Sequence, residues 1–203
     1  MNTKFEGNNM KRILMTVCAV LLMCSPLFAN YKEAFQKGDY AGAVKELRPL
    51  AQKGDAKAQS FLGIMYAQGL GVKQNSIEAE KWIRKAAEQG LPEAQCNLAV
   101  IYAQGKGVTK NNAEAIKWFR KSSDQGYAKA QYGLGIMYFQ GLGVPKNLVQ
   151  AYMWWYLSGS QGNLEAEQAM NSIKGKMTPA QISEATKLAS KWKPKKEMKN
   201  PVI

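Results

Sequence analysis

The chain contains no histidine, and only three of its 203 residues are cysteine. Histidine is the usual general base and metal ligand near neutral pH, so imidazole-based metal sites and Ser–His or Cys–His nucleophile pairs are excluded. Acidic side chains are also in short supply: 15 against 28 lysines and arginines, a net charge of +13. That sign favours anionic partners and says little about fold. Nor is there a long apolar run. The longest, "ILMTVCAVLLM" at residues 13–23, falls well short of the ~20 residues a spanning helix needs. Apolar residues as a class are nonetheless plentiful at 46%, enough to bury a core and to exclude disorder on composition.

The short apolar run has a specific reading. Lys11 and Arg12 precede it and "SPLFAN" follows it, the layout of a secretory signal peptide. Cleavage is expected after Ala29, with Met10 as an alternative start, and the expected location is the periplasm or the extracellular space. Lipidation at Cys24 is disfavoured by Met23, which is larger than the residue such sites require. Cleavage removes Cys18 and Cys24, leaves Cys96 alone and so permits no intramolecular disulfide. It also removes three cations and one anion, taking the net charge from +13 to +11.

The rest of the chain repeats. "YAQGLGV" at Tyr66, "YAQGKGV" at Tyr102 and "YFQGLGV" at Tyr138 are evenly spaced, and Trp82, Trp118 and Trp154 keep the same step. Gly54, Gly90, Gly126 and Gly162 do so as well, as do Ala58, Ala94, Ala130 and Ala166. A single glycine-rich loop ahead of a lysine suggests a phosphate cradle. Three copies at a constant period argue for architecture. Each unit reads as two helices. Helix A of the first covers residues 55–68, Gly69 ends it in the left-handed conformation, and Gly71 keeps the turn permissive. Asn75 with Glu78, Asn111 with Glu114 and Asn147 with Gln150 predict capping boxes. Helix B then covers 76–89, with Trp82 inward and Lys81, Arg84 and Lys85 outward. The second and third loops carry Gly105, Gly107, Gly141 and Gly143 at the same positions. Small residues at 63, 99 and 135 let neighbouring helices approach closely. Units of this kind bury their faces only by stacking.

These motifs, Gly-x-x-x-Ala-Gln, Leu-Gly-x-x-Tyr, Gly-x-Gly-Val and Ala-x-x-Trp in order, resemble the Sel-one-like repeat (SLR) family, a relative of the tetratricopeptide repeat. The resemblance covers residues 31 to 192. It implies an all-α fold, a right-handed α-solenoid of antiparallel helix pairs, serving as a protein-interaction scaffold in exported bacterial proteins. The expected organisation is a signal peptide at 1–29, a capping hairpin at 30–53, units at 54–89, 90–125 and 126–161, capping helices at 162–192 and a basic flexible tail at 193–203. In the third unit "AYMWWYLSG" makes the outer surface apolar, so a closing helix beginning at Thr178 and Pro179 is needed to cover it.

Candidate sites follow from exposure. At about 100° per residue, helix A presents Lys57, Phe61, Ile64 and Gln68 away from its core stripe. The second unit presents Glu93, Asn97, Val100 and Gln104, and the third Lys129, Gly133, Ile136 and Gln140. If A helices line the concave side, these residues form a groove for a protein or peptide partner. The isoleucines fit equally well as packing between units, whereas Phe61 and Asn97 are expected in the groove. Trp82, Trp118, Trp154 and the loop tyrosines are expected in the core, the tyrosine hydroxyls reaching loop partners.

No catalytic, cofactor or metal site is expected. Ser190 and Lys193 spell S-x-x-K without the S-D-N and K-T-G that accompany it in β-lactam-recognising enzymes. The resemblance offers β-lactam or peptidoglycan chemistry as an alternative, through cysteine-rich SLR members whose cysteine pairs this chain lacks. A further alternative is contact of the lysine-rich tail with anionic lipid or envelope polymer. No nucleic-acid partner is expected of an exported chain, and a monomer is.

Overall fold

The computed structural model describes residues 30–195. The leader, its cleavage position and the chain beyond residue 195 lie outside the described residues. Within them are ten helices and no strand. A first hairpin pairs α1 (Asn30–Gln36) with α2 (Tyr40–Gln52). Three further hairpins follow: α3 (Ala56–Gln68) with α4 (Ser76–Glu88), α5 (Pro92–Gln104) with α6 (Asn112–Asp124), and α7 (Ala128–Gln140) with α8 (Leu148–Gly159). Two closing helices, α9 (Leu164–Lys174) and α10 (Pro179–Lys191), end the stack. From α1 to α9 helices adjacent in sequence pack on one another, and α10 returns to pack on α8. The result is the right-handed solenoid that stacked hairpins produce.

The two loop glycines have different jobs. Gly69, Gly105 and Gly141 end helix A in the left-handed region, at φ of 72°, 71° and 71°, each donating its N–H to a carbonyl four residues back. The second glycine of each loop lands on the unit before it. A Cβ on Gly71 would stand 2.3 Å from the Tyr40 carbonyl oxygen, and one on Gly107 2.3 Å from that of Ser76. Tyr40 and Ser76 are the first residues of α2 and α4, so the loop is the seam where one unit meets the helix start of its predecessor.

The capping boxes are half formed. Asn75, Asn111 and Asn147 accept from the backbone N–H of Glu78, Glu114 and Gln150. Their own N–H groups donate to the carbonyls of Tyr66, Tyr102 and Tyr138, each at 2.9 Å. With that donor taken, Glu78 and Glu114 turn outward to Lys81 and Lys117. Thr178 and Gln181 make the full reciprocal pair at the start of α10.

The tyrosine hydroxyls find a different partner from the loop. Tyr66, Tyr102 and Tyr138 accept from Arg48, Arg84 and Arg120 of the preceding unit's helix B. Arg84 is therefore half-buried across a junction and not a plain outer residue; it also pairs with Glu80. A second set of polar rungs uses glutamine. Gln89, Gln125 and Gln161 donate to the side-chain carbonyls of Gln59, Gln95 and Gln131 at 2.7 to 2.9 Å. Gln59 and Gln95 donate onward to the carbonyls of Ala51 and Ala87, in the helix before.

Trp82, Trp118 and Trp154 are buried, as core residues should be. Lys85 and Lys121 lie over the first two rings, 4.6 and 4.5 Å from the centroids. In the third unit Leu157 replaces the lysine, and Trp192 meets Trp154 edge-on at 6.1 Å. With Ile182, Leu188 and Ala185, α10 covers the apolar end. The core has two apolar clusters that abut in α4: Trp82 belongs to the first and Ile83 to the second. The expected free tail at 193–203 needs amendment at its start. The Lys195 backbone N–H donates to the Asp124 carbonyl at 2.6 Å, and its ammonium pairs with the Asp124 carboxylate at 2.8 Å.

Candidate functional site

Where the two clusters abut, α3, α4 and α5 leave a hollow of about 410 Å³. Five of the groove candidates line it together: Ile64 and Gln68 from α3, and Asn97, Val100 and Gln104 from α5. Its floor is apolar, made by Ala79 and Ile83 of α4 with Ile101. The side-chain amides of Gln68, Asn97 and Gln104 form no hydrogen bond among the described residues, in contrast to Gln59, Gln95 and Gln74, each tied to a backbone carbonyl.

The other candidates sit elsewhere. Phe61 shares the register of Asn97 one unit earlier, but its ring packs on Tyr31 at 5.8 Å beside Leu47, because α1 stands where a preceding helix A would. Lys57, Glu93 and Lys129 are exposed near the starts of α3, α5 and α7 and do not line the hollow. Ile136 is half-buried against the second cluster, so it packs between units, and Gln140 is exposed at the end of α7. Gly133 lies under Phe119, whose ring would be 2.5 Å from a Cβ added there. Residues 83, 119 and 155, on helix B, were missed by a reading confined to helix A. They run Ile, Phe, Trp at one register, and at the junction after the hollow the larger Phe119 occupies the space beside Gly133.

Neither the Cys96 thiol nor the Ser190 hydroxyl is set up as a nucleophile. Cys96 is buried, and burial pushes its thiol up to about 12; Lys129 pulls it down and Glu93 pushes it further up. A thiol held neutral in this way is a poor nucleophile at pH 7. The Ser190 hydroxyl donates to the Lys187 carbonyl at 2.9 Å inside α10. Among the described residues no group of three or more Cys, Asp or Glu could hold a metal ion, and no helix is long and apolar enough to cross a membrane.

The Sel1 repeat family matches three consecutive stretches, residues 56–91, 92–127 and 128–163. Among solved structures, the chain is similar to a Sel1 repeat protein from Oxalobacter formigenes, 31% identical with a TM-score of 0.67, covering 80% of this chain and 69% of that one. It is also similar to c5321, described as a protective antigen of uropathogenic Escherichia coli strains displaying an SLR fold. That likeness is 32% identical with a TM-score of 0.71, over 80% of this chain and 39% of the antigen, so this chain spans well under half of it. No curated protein matches.

Proposed function

The chain belongs to the Sel1 repeat family, whose helical repeats serve as protein-interaction scaffolds, and from that premise we propose that the hollow between α3, α4 and α5 is where it holds a partner. One observation carries the reading: five exposed or half-exposed candidates, on two helices of different units, surround a single apolar-floored space. A site of that volume falls in the range of small binding clefts, roughly 300–1,000 Å³. It accepts a side chain or two of an extended segment, and the rest of such a segment would run along the stacked A helices. The scaffold is non-enzymatic in this reading, consistent with a suppressed Cys96 thiol and a chain without histidine.

The leader motif supports export, and with it a partner in the cell envelope or at the surface, such as an envelope enzyme. Fractionation and the mass of the processed chain test that part: a product retaining residues 1–29 in the cytoplasm would rule it out. The groove itself is tested by capture from solubilised envelope. The Val100→Trp change fills the hollow without altering charge; capture of a specific partner should be lost while the melting temperature holds. Equal capture by the filled variant would reject the site.

A further inference from the structure

The hollow has register equivalents at the neighbouring junctions, and each is narrowed by a phenylalanine. One unit earlier, Phe61 replaces Asn97 and leaves a cleft of about 180 Å³ beside Tyr31. One unit later, Phe119 replaces Ile83 and fills the space beside Gly133. The junction between α3, α4 and α5 is therefore a socket bounded by a phenylalanine on either side. Its rim is polar in a particular way. Gln68, Asn97 and Gln104 each offer a carbonyl and an NH₂ that nothing in the described chain uses, and such groups match the N–H and C=O of a peptide main chain. Lys106 also lines it and forms no ion pair among the described residues. No residue lining the socket is acidic.

We propose that the socket takes an extended peptide in which a large apolar side chain, packed against Ile64 and Val100 above Ala79 and Ile83, is followed closely by an acidic residue that meets Lys106. The inference rests on the groove reading above. Charge complementarity selects the acid. The site carries a cation and no anion, in a chain whose excess is +13, so an acidic segment gains attraction on approach and on seating, whereas a basic one is repelled. The apolar floor selects the anchor, because burying a large side chain supplies affinity that exposed amides do not.

The probe is a displayed library of random dodecapeptides, selected against protein expressed from the full chain. Selected peptides should share a large apolar residue beside Asp or Glu. They should bind about tenfold or more weakly to Val100→Trp and to Lys106→Glu, and selection on Lys106→Glu should favour Lys or Arg at the acidic position. Asn97→Trp replaces Val100→Trp if the latter unfolds. Peptides that lose binding to the filled variant but lack an acid, or ignore Lys106→Glu, overturn this inference and leave the groove reading standing. Peptides that bind the filled variant as well as the unaltered protein overturn both.

Discussion

The Phe119 ring lies over Gly133, its Cε1 2.5 Å from where a β-carbon would be, at the register where the preceding unit has Ile83 and Asn97 around an open socket. One side chain on helix B thus closes what its shorter counterpart leaves open. Gly133→Ala should cost roughly 1–3 kcal/mol, because the buried ring must leave its place. In the Phe119→Ile background the same change should cost markedly less. A double-mutant cycle from urea denaturation checks this: additive costs would show that the two positions do not compete for space.

The loop glycines should differ in the penalty for a methyl group. Gly105→Ala keeps a left-handed backbone at φ 71° with Lys110 Cβ 3.1 Å away, and should lose about 1–2 kcal/mol. Gly107→Ala adds a clash with the Ser76 backbone at 2.3 Å, which two packed units relieve only by separating. Its loss should be at least about twice as large. Equal urea midpoints for the two variants would dissolve the distinction between helix end and seam.

Removing the Tyr102 hydroxyl strips Arg84 of an acceptor in a half-buried place that Glu80 also faces. Tyr102→Phe should lower stability by about 1–2 kcal/mol, a few degrees in melting temperature for a domain of this size. Tyr66→Phe, whose partner Arg48 is exposed at 3.2 Å, should cost less. Thermal melts of the two variants decide.

Alkaline stability should depend on Cys96. The folded thiol titrates near 12 against an ordinary 9.0, so its contribution is complete below pH 9, where both states are protonated. Above pH 9 the unfolded chain ionises first, and stability is lost progressively up to pH 12. The Cys96→Ala protein should show a shallower fall in melting temperature over that interval. In the native protein, a thiol-specific reagent should react with Cys96 only slowly at pH 8, and rapidly once denaturant is added.

The repeat, the helices and the first glycine of each loop were legible in the sequence because they follow from local rules: periodicity, a helix stop and an Asn cap. The tyrosine partners were not. Arg48, Arg84 and Arg120 look like ordinary surface cations on helix B until stacking brings the next unit's hydroxyl to them. The missing half of the capping box has a cause within the unit, since the Asn75 N–H is claimed by the Tyr66 carbonyl from across the loop. On the groove, exposure angles found Asn97 and Val100 but set Phe61 beside them. Only the position of α1, carrying Tyr31, separates Phe61 from the others.

The same seam glycine and arginine–tyrosine rung recur at successive junctions, and a glutamine pair recurs within each hairpin. The glycine and arginine–tyrosine contacts of a junction are therefore interchangeable between units, while the side chains at 83, 119 and 155 are not. Excising residues 92–127, one whole repeat, would bring Gly143 to Ser76 and Tyr138 to Arg84, the same kinds of atoms meeting as before. Gene duplication or loss in whole modules would lengthen or shorten this molecule without asking it to learn a new architecture.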